Sequence, residues 1–311
     1  MPVTREQLAQ RRALPLEDKV AWSEMRIREW YDHWHGQVYV GFSGGKDSTV
    51  LRDIVKRLYP HVPAVFSDTG LEYPEVREFA LSKADEVIRP NMTFKQVIER
   101  YGYPVVGKRQ AEAIHTLRHP TEKNENTRRL LLTGYTKDGR YMNHFKLPEK
   151  WRYLVNAPFE SSHRCCDALK EWPFEKYERK TGRHPILGLM AEESLTREKS
   201  YLKFGCNAWE WERPKSMPLG FWTEQDILQY IKTRNLEYAS IYGDIVEKKN
   251  GTLALTGWQR TGCMFCLFGI QFDGTPNRFQ RMAETHPKQY EYCMNQLGIK
   301  DVLTYMGIPY E

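Results

Sequence analysis

No long apolar run occurs in this sequence. Nothing in its 311 residues approaches the roughly 20 consecutive apolar residues that a membrane span requires. The opening residues MPVTREQLAQRRALPLEDKV contain no apolar stretch of the export-signal kind. A cytoplasmic protein without a membrane partner is expected. Internal repeats, low-complexity tracts and Pro/Gly/Ser-rich linkers are also missing, which excludes a solenoid or a string of tethered modules. Cysteine is scarce at six residues, and without an export signal these read as thiols or metal ligands rather than a disulfide framework. The net charge of +6 is too small to demand a polyanionic partner by itself.

The charge that is present is concentrated. Residues 107–152 hold eleven Lys or Arg against five Asp or Glu, a local net charge of +6 that equals that of the whole chain. Polar residues and turn signals such as Lys137-Asp138-Gly139 mark this segment as an insertion. Elsewhere strands and helices alternate. Trp22, Met25, Arg26, Trp30 and Trp34 recur at helical spacing, so one leading helix is expected to run to Gly36. Residues 37–42 and 62–67 read as buried strands and 87–89 as a short one, with helices over 47–59, 74–84 and 93–101. After the insertion come an apolar run at 185–190 and a helix over 223–233 that opens with a capping-box pattern, Thr223 with Asp226. Such alternation implies an α/β fold, an open parallel sheet with helices on both faces, plus a helical C-terminal lobe. The expected divisions are a helical segment 1–36, a main domain 37–266 carrying the insertion, and a helical segment 267–311.

Directly after the first strand, opening a helix, stands Ser43-Gly44-Gly45-Lys46-Asp47-Ser48. Two glycines allow a tight turn, so successive N–H groups and the positive helix end point at one anion. Ser43 and Ser48 add hydroxyl donors, and Lys46 adds a mobile positive charge. Asp47 after the lysine and a short glycine spacing exclude a Walker A loop. A turn that merely joins strand to helix is the plain alternative, and the strand–loop–helix context favours phosphate. The loop resembles the PP-loop of the adenine-nucleotide alpha-hydrolase superfamily, which includes ATP pyrophosphatases and sulfonucleotide reductases. At the next strand end, Val65-Phe66-Ser67-Asp68-Thr69-Gly70 with Pro74-Glu75 resembles a segment of the phosphoadenylyl-sulfate (PAPS) reductase family. Ligands of open parallel sheets bind at the strands' carboxyl ends, so Asp68 and Thr69 are expected beside the loop. On geometry alone, Asp68 capping the following turn is an equal alternative.

Cys165 and Cys166 are adjacent, Cys263 and Cys266 form a Cys-x-x-Cys, and 96 residues separate the pairs. Adjacent cysteines chelate one small ion poorly, whereas a cluster with several metal corners suits them. The run from Cys165 to Pro173 resembles the iron–sulfur segment of adenylyl-sulfate (APS) reductases. That resemblance implies a [4Fe–4S] cluster on Cys165, Cys166, Cys263 and Cys266 with Lys170 nearby. With four protein ligands such a cluster acts electrostatically or structurally rather than at an open iron. Cys206 and Cys293 read as packed thiols.

Further blocks extend the likeness: Gly188 to Met190 with Glu193, Ser194 and Arg197, and Pro218-Leu219 with Trp222, Thr223, Asp226 and Tyr230-Ile231. The resemblance covers about residues 37–266, outside the insertion, and implies that Arg197 contacts the nucleotide. Two departures matter. The Glu-Cys-Gly-[Leu/Ile]-His segment that carries the reductases' attacking thiolate is absent, leaving Cys293 as the residual candidate. Met190 stands where the family carries an arginine. The resemblance therefore implies an enzyme that binds ATP, with Mg²⁺ bridging its phosphates, and activates an acceptor for sulfur transfer by releasing pyrophosphate, with Lys46 and Asp47 at the reacting phosphates. Alternatives are a thioredoxin-dependent APS/PAPS reductase and a nucleotide-responsive regulatory protein without turnover. The basic insertion, with Lys108, Arg109, Arg128, Arg129, Lys146, Lys150 and Arg152 beside Tyr141, Phe145 and Trp151, suggests nucleic acid as a partner, with a solvated charged segment as an equal alternative. A sulfur-donor protein is another expected partner, and a dimer is compatible with the sequence.

Overall fold

The computed structural model describes residues 2–311. The chain divides into two compact units, Met1–Arg89 with Pro173–Thr261 and Pro90–Trp172 with Gly262–Glu311; Met1 itself lies outside the described residues.

The first unit holds the sheet. Strands β1 (Val38–Phe42), β2 (Ala64–Ser67), β3 (Glu86–Ile88), β4 (His184–Leu187), β5 (Asn207–Ala208) and β6 (Lys215–Ser216) lie in the order β3-β2-β1-β4-β6-β5. All neighbours are parallel except β5 against β6. A separate antiparallel pair joins β7 (Ile245–Glu247) to β8 (Leu253–Leu255). Successive side chains of a strand face opposite ways, and β1 feeds two cores accordingly. Val38, Val40 and Phe42 join Ala64, Phe66 and Ile186 in the larger core with helices Leu16–His33, Lys46–Leu58 and Glu224–Arg234. Tyr39 and Val65 face the other way and pack with Tyr177 and Phe174 of helix Trp172–Thr181. The expected fold class is thus the observed one, with the antiparallel edge strand β5 added.

The leading helix is two helices, Arg5–Arg12 and Leu16–His33, interrupted at Pro15, which has no N–H to continue a ladder. Their residues are no separate segment, because Leu8, Ile27 and Trp30 belong to the larger core. The buried face of the second helix carries Ser23 and Ile27, and Met25 of the expected stripe is 43% exposed. The capping box at Thr223 and Asp226 is present. Asp226 also accepts two hydrogen bonds, at 2.8 and 2.7 Å, from the buried Lys19 ammonium.

The second unit is built of helices and turns. Helix Phe94–Tyr101 opens with a capping box of Thr93 and Gln96. The basic segment forms helices Lys108–Arg118 and Glu125–Thr133, because Ala111, Ile114 and Leu117 recur at helical spacing and are buried. Two isolated parallel bridges, Tyr103 with Ser161 and Val106 with Phe268, tie the residues before the insertion to those flanking each cysteine pair. The Tyr103 hydroxyl donates to the Leu297 carbonyl at 2.8 Å. The C-terminal helices, among them Arg278–Thr285 and Ile299–Met306, share a unit with residues 90–172.

Candidate functional site

In the first unit, the chain leaves β1 between neighbours that lead in opposite directions, to β2 on one side and β4 on the other. This reversal of strand order is where open α/β sheets bind ligands. Ser43, Gly44 and Gly45 fill the turn. Gly44 has φ +74°, and a Cβ there would lie 2.7 Å from the Val76 carbonyl oxygen and 2.8 Å from Ala80 Cβ. Glycine is required on both counts. Gly45 begins helix Lys46–Leu58 without a side-chain cap, so the first N–H groups of the helix are available to an anion. The hydroxyls of Ser43 and Ser48 are 3.1 Å apart, and Ser48 Oγ donates to the Gly45 carbonyl at 2.9 Å.

Lys46 is held rather than mobile. It is 4% exposed, and its Nζ donates to the Gln259 carbonyl at 3.3 Å. The same atom lies 3.3 Å from Glu224 Oε1 and 3.7 Å from Asp47 Oδ1. Asp47 Oδ1 is buried without a hydrogen-bond partner. Burial raises its carboxyl above the usual range, against the opposing pull of Lys46 and Arg260. Arg197 forms an ion pair with Glu193, and burial, together with the repulsion of Arg260, lowers its affinity for its proton. Tyr242 bonds Thr261, its hydroxyl oxygen 3.2 Å from Oγ1, and its ring lies 5.9 Å from Lys46 Nζ. Lys46, Arg197 and Arg260 thus concentrate positive charge where Met190, 2% exposed, supplies none.

Asp68 and Thr69 are engaged locally. Asp68 accepts a bidentate pair from Arg77 at 2.7 and 2.8 Å and a longer bond from Arg89 at 3.5 Å. The Arg77 hydrogen bonds hold its carboxyl below the usual range. Thr69 Oγ1 donates to Glu72 at 2.6 Å and accepts from the Leu71 N–H at 3.1 Å. These bonds fix the turn after β2.

In the second unit, the two cysteine pairs converge. Cys165 and Cys166 lie on the short helix Arg164–Cys166, which passes into a π-helical turn over Asp167–Glu171, ahead of Pro173 with its missing N–H. Cys263 and Cys266 close a turn in which the Cys266 N–H donates to the Cys263 carbonyl at 3.1 Å. The thiols feel one another. The hydrogen bond between Cys165 and Cys166 holds Cys165 protonated and favours the Cys166 thiolate, which Lys108 and Lys170 favour further. Burial and then the nearby Cys263 push Cys266 up to about 12. Arg278 donates to the Cys266 and Phe268 carbonyls, each at 3.1 Å. A set of four thiols with cations beside it has the chemistry to hold an anionic iron–sulfur cluster. The contribution of Lys108 had no motif to announce it.

The two remaining cysteines are packed. Cys206 is 3.8 Å from the Tyr201 hydroxyl, and burial raises its thiol to about 11. Cys293 is 0% exposed inside a π-helical turn, Tyr292–Gln296, and burial pushes its thiol well above the ordinary range. To act as an attacking thiolate, Cys293 would have to ionise and reach its target from this buried setting. Among the described residues no helix is long and apolar enough to cross a membrane.

A solved PAPS reductase from Candida auris, in a phosphate complex, aligns over 84% of this chain and 98% of its own at 13% identity and a TM-score of 0.40. A protein of Methanocaldococcus jannaschii described as uncharacterized is 22% identical over 279 residues, 87% of this chain and 51% of the relative. This chain therefore spans about half the length of that curated relative. The family model of the phosphoadenosine phosphosulfate reductase domain matches residues 37–267, a span that takes in the turn after β1 and both cysteine pairs, and the chain belongs to that family.

Proposed function

We propose that the protein is a PP-loop enzyme that binds ATP at the turn after β1 and activates an acceptor oxygen for sulfur transfer. The acceptor oxygen bonds to the α-phosphorus, the bridging α–β P–O bond breaks, and pyrophosphate leaves with that electron pair. The N–H groups of the turn, Lys46, Arg197 and Arg260 neutralise charge that builds on the leaving group. Asp47, with an oxygen that has no hydrogen-bond partner, would hold a Mg²⁺ ion, which would supply positive charge to the phosphates. Cys165, Cys166, Cys263 and Cys266 would hold a [4Fe–4S] cluster, which supplies a fixed charge and a structural tie. The observation that supports ATP over a sulfonucleotide is the burial of Cys293, the residual candidate thiolate, inside a π-helical turn.

Anaerobic protein loaded with iron, given ATP, Mg²⁺ and single-stranded nucleic acid as acceptor, is expected to catalyse exchange of labelled pyrophosphate into ATP. The same protein given sulfur-labelled APS or PAPS with thioredoxin is expected to release no sulfite. Sulfite that survives Cys293→Ala would replace this reading by a sulfonucleotide reductase that borrows a partner's cysteine. For the acceptor, exposed or half-buried rings beside cations favour nucleic acid: Arg109 lies 5.2 Å from the Phe145 centroid and Lys150 5.2 Å from that of half-buried Trp151, and Tyr135 packs on Tyr141. Binding of single-stranded nucleic acid that weakens steeply with salt supports this; none at low salt removes it.

A further inference from the structure

In the second unit, two histidines stand one helical turn apart on helix Lys108–Arg118 and its C-cap, His115 and His119. Their ring centroids are 4.3 Å apart. Glu160 reaches them from the strand-like stretch that leads to Cys165. One ligand atom from each of His115, His119 and Glu160 lies within 4.8 Å of the other two, and all three side chains are exposed. His119 Nε2 is 3.7 Å from Glu160 Oε2. Ligand atoms around a tetrahedral zinc ion lie about 3.4 Å apart, given its bond lengths of about 2.0–2.2 Å. Small side-chain rotations close that difference.

The surroundings orient the ligands. His119 Nδ1 lies 2.8 Å from the His115 carbonyl oxygen, which can only accept, so Nδ1 carries the proton and Nε2 keeps its lone pair. Arg118 Nη2 donates to Glu160 Oε1 at 3.0 Å, leaving Oε2 turned to the histidines. Arg118 Nη1 donates to the Ala157 and Phe159 carbonyls at 2.8 and 2.9 Å, which fixes the backbone that presents Glu160. Such outer partners are what metal-binding histidines and carboxylates ordinarily have.

We propose that His115, His119 and Glu160 form a binding site for a divalent transition-metal ion of the zinc type, with the fourth position open to water. Two imidazoles and one carboxylate select such an ion over Mg²⁺ or Ca²⁺, which prefer oxygen alone. Its place gives it a structural sense: the ion would clip helix Lys108–Arg118 to the stretch leading into Cys165.

The test is a cobalt(II) titration of the iron-loaded protein, followed by visible d–d absorption. One equivalent is expected to bind without thiolate charge-transfer bands. His119→Ala is expected to weaken this binding at least tenfold, Glu160→Gln to weaken it measurably, and His144→Ala to leave it unchanged. Zinc(II) should displace the cobalt. Identical titrations of wild type and His119→Ala, or cobalt signals carried by thiolate bands alone, overturn the proposal. Scoring the equivalent that depends on His119 separately from any thiolate band keeps this result independent of whether the four cysteines hold iron.

Discussion

At the scale of single residues, the turn after β1 separates what a motif announces from what only folding assembles. Gly44 was legible, since its role follows from local chain geometry. Gly44→Ala combines a left-handed backbone with the 2.7 Å approach to the Val76 carbonyl, so a stability loss of about 1–3 kcal/mol from strain, plus the clash, is expected in urea unfolding. Gly70 also has a positive φ, +71°, but open space around it; Gly70→Ala should cost the smaller amount. Arg260 was not legible. It stands three residues before Cys263 in no recognised pattern, and its place is known only because it acts electrostatically on both Asp47 and Arg197. Arg260→Met should weaken ATP binding about tenfold, or about 1.4 kcal/mol, with little change in unfolding midpoint. Unchanged affinity in a nucleotide titration would remove Arg260 from the phosphate contacts.

At the scale of elements, strands and helices were legible wherever one period dominated. Residues 37–42 read as a strand and form β1 over Val38–Phe42, while 223–233 read as a helix and form Glu224–Arg234. The helices within the basic segment went unread because its many charges obscured the buried Ala111, Ile114 and Leu117. The Asp68 carboxylate joins the end of β2 to helix Pro74–Lys83 through Arg77. Its folded pKa is lowered. The stabilisation this pair gives is therefore complete above the unfolded carboxylate value of about 3.9 and is lost as pH falls through the lower folded value. Asp68→Asn should reduce stability at neutral pH and flatten the acid limb of the stability profile below about pH 4. An unchanged acid limb would mean that the ion pair contributes nothing in solution.

At the scale of the whole molecule, the division into units was the least legible feature. Residues 90–172 join 262–311 through bonds such as that of Tyr103 to Leu297, and no local pattern records a partner almost two hundred positions away. The division carries a prediction. All of the phosphate-turn residues belong to one unit and all four converging cysteines to the other. Magnesium ATP at a hundred times its dissociation constant should stabilise the first unit by about 2.7 kcal/mol. Iron removal should lower amide protection chiefly within 90–172 and 262–311. Hydrogen exchange followed by peptide mass spectrometry reads both, and a uniform response to either treatment would show that the units open together.

The chain passes between the units at three points, after Arg89, Trp172 and Thr261, and this has a consequence during synthesis on the ribosome. Neither unit has all its residues when its first segment emerges. Cys165 and Cys166 must wait for the 96 residues before Cys263, on the order of 5 to 20 seconds at about 5–20 residues per second. For that interval the nascent chain carries an incomplete set of thiols, so if the four cysteines hold the proposed cluster, its assembly would be timed by the rate of translation.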